Sequence, residues 1–154
     1  MPEGIDEIFR RAKEGRQLFV ERDALSPDYI PDNLPFRDEQ TRSVAEVLAP
    51  VLHGSRPSNL LLYGKTGTGK TAVARYVLSR LEKEAGPNNL LVAYVNTRLA
   101  NTEYRALAEF ASFLNLPAEE QIPFTGLSIG EVTGRIFKQI KAKGARVVLV
   151  LDEI

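Results

Sequence analysis

The eight residues from Gly64 to Thr71 constrain the fold of this chain more than any other segment. They read Gly-Lys-Thr-Gly-Thr-Gly-Lys-Thr and match the pattern G-x-x-x-x-G-K-S/T without a mismatch. An apolar run, Asn59–Tyr63, precedes them, and apolar residues at helical spacing follow from Val73 to Leu81. A glycine-rich turn between a buried strand and an amphipathic helix is the arrangement that binds phosphate groups. We therefore predict an α/β fold built around a phosphate-binding loop (P-loop).

Other periodic segments predict that strands and helices alternate along the chain. Apolar runs indicate strands at Asn59–Tyr63, Leu90–Val95 and Val147–Leu151. This alternation predicts a parallel sheet flanked by helices, as in P-loop NTPases. Helices are predicted at about Gly4–Gly15, at Asp38–Leu52 and at Thr102–Leu114, and Pro50 and Gly54 mark the end of the second. A further helix follows the P-loop and ends at Gly86. The last helix starts at Ser128, with a Ser128–Glu131 capping box, and ends at Gly144.

The residue types in the loop fit the binding of a nucleoside triphosphate. Glycines allow positive φ and let the backbone approach the phosphates, while the amides converge at the start of the following helix. Lys70 would reach the β- and γ-phosphate oxygens, and the Thr71 hydroxyl would bind Mg²⁺. The predicted cofactors are thus ATP or ADP with Mg²⁺. The predicted nucleotide-binding residues are Gly64, Lys65, Thr66, Gly67, Thr68, Gly69, Lys70, Thr71 and Ala72.

Two acidic residues, Asp152 and Glu153, directly follow the last predicted strand. Asp152 would hold Mg²⁺ directly or through water, and Glu153 could act as a general base on the attacking water. The alternative is an ordinary strand that ends in two solvent-exposed acids. Their position after a P-loop favours the functional interpretation and hydrolysis by a glutamate of the same chain. ATP is favoured over GTP because the sequence has no guanine-reading Asn-Lys-x-Asp run.

Charge and composition exclude several classes of protein. The 154 residues include 20 basic and 20 acidic residues, so no overall field attracts the chain to nucleic acid or anionic lipid. The absence of cysteine excludes disulfides and thiolate metal sites. No apolar run in the sequence, Val147–Leu151 included, is long enough to cross a bilayer. We expect a soluble intracellular protein without a membrane partner.

Four segments carry a resemblance to a known family: Asp28–Glu39, Pro57–Thr71, Tyr94–Arg98 and Ile122–Ser128. They resemble the archaeal initiators related to the origin-recognition complex and the cell-division-control loader. The resemblance covers nearly all 154 residues. It implies an AAA+ ATPase followed by a helical lid and a winged helix, located on the chromosome in the cytoplasm. It also implies two partners: origin duplex DNA, bound mainly through the winged helix, and the replicative helicase.

The same resemblance implies a domain organisation and an adenine pocket. Residues 1–36 would form an N-terminal helix and an extended segment, and residues 37–154 a partial AAA+ domain truncated after the Walker B strand. Tyr29, Ile30 and Pro31 match the segment that lines the adenine pocket in such ATPases. A proline-stiffened linker packed on the sheet is an equally good interpretation of these three residues.

The resemblance also suggests contacts outside the nucleotide site. Gln121–Ile136 matches a region where initiators carry a helical element that contacts duplex DNA, with Arg135 and Lys138 as the nearby basic residues. The alternative for this region is a solvated turn and a core helix. Arg98 could contact DNA or a neighbouring subunit, or lie on the surface. His53, near a helix C-terminus, has no expected catalytic role.

In the sheet of this family, a sensor strand lies between the P-loop strand and the Asp-Glu strand. That strand is expected beyond residue 154. Two apolar strands would otherwise have unpaired edges, which associate with other chains. We therefore expect this 154-residue chain to be poorly stable and prone to aggregation.

Two alternative functions remain open at the level of sequence. One is a different AAA+ ATPase, such as a helicase loader or a signalling ATPase. The other is a nucleotide-binding interaction module that does not hydrolyse ATP. A basic recognition helix in a winged-helix domain would favour the initiator over the first alternative.

Overall fold

Two parallel strands form the sheet around which the described part of the chain is built. They are β1 (Leu90–Asn96) and β2 (Arg146–Asp152), and both were predicted from their apolar runs. Leu90 lies opposite Arg146 at the amino ends of the strands. Asn96 lies opposite Asp152 at their carboxyl ends. Polar residues that follow the two strands are therefore brought to one edge of the sheet.

The structure, a computed structural model, describes residue 5 and residues 29–31, 33–86, 89–123 and 125–154. The chain divides into two units, Met1–Asp32 and Asn33–Ile154, and the sheet belongs to the second. The helix predicted at Gly4–Gly15 lies outside the described residues apart from Ile5. The domain boundary predicted after residue 36 stays a prediction.

One face of the sheet is covered by helix α1 (Asp38–Leu48), a 3₁₀ turn (Ala49–His53) and helix α2 (Lys70–Ala85). Side chains of α1 and α2 form a buried cluster with every second residue of the strands. Arg146 ties the 3₁₀ turn to β2, since its Nη1 donates to the carbonyl oxygen of Val51 at 2.7 Å. The cluster consists of Val44, Leu48, Val51, Val73, Val77, Leu78, Leu81 and Leu90, with Val92, Tyr94, Val148 and Val150 packed against it.

The opposite face is covered by three helices: α3 (Thr97–Ala100), α4 (Glu103–Phe113) and α5 (Ile129–Lys143). Because side chains alternate between the faces of a strand, Ala93 and Val95 point to this side, and both are fully buried. The second cluster contains Ala93, Val95, Ala100, Phe110, Ala111, Leu114, Val132 and Ile136.

The helix ends follow the local signals in the sequence. The α-helix that starts at Asp38 changes to a 3₁₀ turn at Ala49, because Pro50 lacks an amide hydrogen and cannot continue the α-helical hydrogen bonds. Gly54 ends the turn with φ 79°, in the left-handed region, as predicted. The capping box of α5 is also confirmed. Hydrogen bonds from the Ser128 backbone and side chain lower the pKa of Glu131.

The strand predicted at Asn59–Tyr63 is wrong for this structure. These residues lie outside any helix or strand, and the sheet of the described residues contains only β1 and β2. Leu61 is 71% exposed and Tyr63 is 87% exposed, although such an apolar run normally lies in a core. The physical reason is that a strand forms only when a neighbour accepts its backbone hydrogen bonds. No described segment pairs with this one.

Two short elements were missed. Helix α3 has only four residues, and a 3₁₀ turn, Ala118–Glu120, lies between α4 and α5. Such short pieces carry no periodic apolar pattern, so the sequence alone does not indicate them.

We predict that this chain associates with itself through its exposed apolar segments. Leu149 and Leu151 on β2 are 43% and 46% exposed, and they add to the exposed residues of 59–63. Size-exclusion chromatography with light scattering should show oligomers or aggregates at micromolar concentration. Replacing Leu61 and Leu149 by lysine should raise the monomer fraction.

The control for charge alone is Ser43→Lys on the exposed side of α1, which should leave the monomer fraction unchanged. A monomeric wild-type chain with a sharp, reversible thermal transition would contradict this prediction.

Candidate functional site

The segment from Gly64 to Gly69 forms the turn that leads into α2. Gly64, Gly67 and Gly69 have φ values of 150°, 78° and 80°, a region that residues with a side chain rarely adopt. A Cβ atom added at Gly67 or Gly69 would meet no atom within 4 Å. The glycines at these two positions are therefore required by the backbone conformation of the loop and not by packing within the chain.

The side chain of Lys70 folds back over this turn. Its Nζ donates to the carbonyl oxygens of Gly64 at 3.1 Å and Lys65 at 3.0 Å. The hydroxyl of Thr68 donates to the same Lys65 carbonyl at 2.8 Å. Two carbonyl oxygens of the turn thus hold the ammonium group of Lys70, and an anion with stronger acceptors can replace them.

The first turn of α2 is open to an anion. Its N-cap residue is Gly69, which has no side chain to bond the free amides, and the turn contains no acidic residue. The free amides and the positive end of the helix dipole favour a bound anion at this position. Thr66 lies exposed in the turn, and Ala72 lies half-buried in the first turn of α2.

The first turn of α2 also contacts the end of β2. The Thr71 hydroxyl donates a hydrogen bond to Oδ2 of Asp152 at 2.9 Å, across 81 residues of sequence. A hydroxyl and a carboxylate are the oxygen ligands that Mg²⁺ accepts, and this ion commonly takes few protein ligands beside phosphate and water. The described residues contain no group of three or more His, Asp or Glu side chains that could hold a metal ion.

Glu153 follows Asp152 in an unusual backbone conformation. Its φ is 56°, in the left-handed region, and its amide donates to Oδ1 of Asp152 at 3.0 Å. The Asn96 side chain, at the end of β1, donates from Nδ2 to Glu153 Oε2 at 3.2 Å. Asn96 was not predicted as a site residue. The signal that could have found it is its position at the carboxyl end of the neighbouring parallel strand.

Tyr94 lies on β1, opposite Val150 of the strand that ends at Asp152. It lies two residues before Asn96 on the same face of β1, and the Arg75 guanidinium lies 5.3 Å from the centre of its ring. Burial raises the pKa of Tyr94 far above its usual value, and the negative charge of Asp152 adds to this effect. The Tyr94 hydroxyl therefore remains neutral at physiological pH.

The structure describes Tyr29, Ile30 and Pro31. They belong to the first unit, whereas the P-loop belongs to the second, and Tyr29 and Ile30 are each 39% exposed. Their assignment to an adenine pocket stays a prediction.

Two of the basic residues considered for DNA contact, Arg135 and Lys138, already have partners. Lys138 pairs with Glu120, and Arg135 Nη1 donates to the Gln121 carbonyl at 3.0 Å. Both side chains therefore hold the loop that precedes α5 against the helix. Arg98 is exposed on α3, and His53 is exposed at the end of its 3₁₀ turn.

A search of the described residues finds no helix with the length and apolar character needed to cross a membrane.

Residues 33–154 match the family model described as AAA ATPase domain. The ORC1-type DNA replication protein 1 of Aeropyrum pernix is 48% identical over 152 residues, which cover 97% of this chain and 37% of that protein. The protein of the same name from Sulfolobus acidocaldarius is 44% identical over 154 residues, which cover 100% of this chain and 37% of the relative. The chain thus spans little more than a third of the length of these relatives.

Two of the solved structures that the chain resembles are also archaeal ORC1 and Cdc6 proteins. The Aeropyrum pernix ORC1 protein, solved in complex with DNA, has a TM-score of 0.75 and 49% identity, over 87% of this chain and 35% of that one. Cdc6p from Pyrobaculum aerophilum has a TM-score of 0.70 and 28% identity, over 86% of this chain and 34% of that one. The chain therefore belongs to the AAA ATPase domain family, and the resemblance to archaeal replication initiators that its motifs indicated is confirmed.

Proposed function

We propose that this chain is the nucleotide-binding part of a DNA-replication initiator that binds and hydrolyses ATP with Mg²⁺. The observation that carries the proposal is the hydrogen bond between Thr71, at the end of the P-loop, and the carboxylate of Asp152, at the end of β2. Nucleotide-binding residues 64–72, the metal ligands Thr71 and Asp152, and the base Glu153 then form one continuous site.

Each of these groups has a separate task in the proposed reaction. The amides at the start of α2 and the ammonium of Lys70 would bind the phosphate oxygens. Bound Mg²⁺ would neutralise the charge that develops on those oxygens, held by Thr71 and Asp152. Glu153 would accept a proton from the attacking water. Water then bonds to the γ-phosphorus, the bond to the β–γ bridging oxygen breaks, and ADP and phosphate leave.

The proposal for DNA rests on the relatives. A similar protein from Aeropyrum pernix was solved in complex with DNA, and the ORC1-type relatives are named as DNA replication proteins. We propose origin duplex DNA and the replicative helicase as partners of the full-length protein. Because the chain has zero formal net charge and Arg135 and Lys138 are engaged, most of the DNA affinity would come from other residues.

The experiment compares Lys70→Ala with Lys65→Ala in the full-length protein, by calorimetric titration with MgATP. Lys70→Ala should weaken ATP binding at least about tenfold, since a charged hydrogen bond to phosphate is worth about 1.5–3 kcal/mol. Lys65 lies in the same loop but contributes its carbonyl oxygen and not its exposed side chain. Lys65→Ala should therefore change the affinity less than about threefold.

Unchanged affinity in Lys70→Ala, or an equal loss in both variants, would contradict the proposed site. The matched lysine separates a specific contact from a general loss of positive charge.

A second candidate is a nucleotide-binding module that does not hydrolyse ATP. The observation that favours it is the hydrogen bond from Asn96 to the Glu153 carboxylate, which occupies one oxygen of the proposed base. Measuring phosphate release by the full-length protein and by Glu153→Gln decides between them. Our proposal predicts a loss of at least about 100-fold in kcat with unchanged ATP affinity. ATP binding without measurable phosphate release by either protein would favour the second candidate.

A further inference from the structure

The side chain of Thr97 links the start of α3 to the end of β2. Its Oγ1 lies 3.1 Å from the carbonyl oxygen of Asp152 and 2.9 Å from that of Glu153. A hydroxyl has one proton to donate, so the two acceptors share it. Thr97 is half-buried and immediately follows β1, which pairs with β2 along its whole length.

These two carbonyls flank the strained residue of the site. Glu153 adopts φ 56°, which is unfavourable for a residue with a side chain. Such a conformation persists only where the surroundings hold it in place. The contacts that hold it are the two from the Thr97 hydroxyl, the one from Asn96 to the Glu153 carboxylate and the one from the Glu153 amide to Asp152.

The Thr97 hydroxyl is not needed to cap its own helix. The N-cap of α3 is Asn96, whose Oδ1 accepts a hydrogen bond from the Leu99 amide at 3.1 Å. The side chain of Thr97 instead points to the neighbouring strand. Its contacts therefore serve the backbone of Asp152 and Glu153 and not the stability of α3.

The left-handed turn at Glu153 fixes where its carboxylate lies. In a continuing strand, this side chain would take the opposite face from Asp152. With the turn, the carboxylate lies within hydrogen-bond distance of Asn96, which shares the face of Asp152. Loss of the Thr97 contacts would let Glu153 return to an extended conformation and carry its carboxylate away from that face.

We propose that Thr97 is a positioning residue for ATP hydrolysis, which holds the backbone of Asp152 and Glu153 so that the Glu153 carboxylate faces the nucleotide site. This inference rests on the proposed function, in which Glu153 is the general base. Thr97 itself contacts neither nucleotide nor metal in this account. Its effect is therefore expected on kcat and not on the affinity for ATP.

The test compares Thr97→Val with Thr97→Ser in the full-length protein. Valine keeps the β-branched shape and removes the hydroxyl, whereas serine keeps the hydroxyl and removes the methyl group. We expect Thr97→Val to lower kcat about tenfold or more, because small displacements of a catalytic group are costly, with KM and ATP affinity unchanged. Thr97→Ser should retain kcat within about threefold.

A second readout does not depend on turnover. Amide hydrogen exchange at Glu153, followed by NMR, should be faster in Thr97→Val than in the wild type and unchanged in Thr97→Ser. If the valine variant does not fold, Thr97→Ala replaces it in both measurements. Failure of both variants to fold would assign Thr97 a purely structural role and overturn the proposal.

Wild-type kcat in Thr97→Val, equal impairment of the serine variant, or a parallel loss of ATP affinity would each overturn the inference. Failure of the proposed function gives a different result, because Glu153→Gln would then hydrolyse ATP as fast as the wild type. A slow Glu153→Gln variant beside an unimpaired Thr97→Val variant would reject only the role of Thr97.

Discussion

The hydrogen bond between the Thr71 hydroxyl and the Asp152 carboxylate is the contact on which the rest of the site depends. It joins the first turn of α2 to the end of β2, two positions separated by 81 residues. One partner follows the glycine-rich turn, and the other ends an apolar strand. Without this contact the two motifs would be separate local features, a turn suited to anions and an acidic strand end. With it, the free amides of the first turn of α2, a lysine and a carboxylate occupy one edge of the sheet.

The parallel sheet makes this contact possible. Because β1 and β2 pair in parallel and in register, Asn96 lies beside Asp152, and the residues that follow both strands meet at one edge. The helices between the strands cover one face, and α1 and α2 cover the other. The helix that carries Thr71 and the strand that carries Asp152 are packed through the cluster of Val73, Val77, Val148 and Val150. Apolar packing between α2 and β2 therefore sets the distance between the polar side chains of Thr71 and Asp152.

The sequence predicted the features that depend on nearby residues. The P-loop, the helix ends at Gly54 and Gly144, and the capping box at Ser128 are set by interactions within a few residues. The predicted strand at Asn59–Tyr63 is not formed, because a strand must pair with a neighbouring strand and the apolar character of a segment does not provide one. Asn96 and Thr97 were missed because their roles depend on the register between β1 and β2. The role of Tyr29–Pro31 depends on the placement of a separate unit, which local sequence does not determine.

The most direct measurement of the central claim is a double-mutant cycle between Thr71 and Asp152. The affinity for ATP would be measured with and without Mg²⁺ in the wild type, Thr71→Val, Asp152→Asn and the double variant of the full-length protein. If the two side chains form one metal site, their effects on the Mg²⁺-dependent affinity are not additive, with a coupling energy of about 1 kcal/mol or more. Affinity without Mg²⁺ should change little. Additive effects, with a coupling energy near zero, would contradict the account.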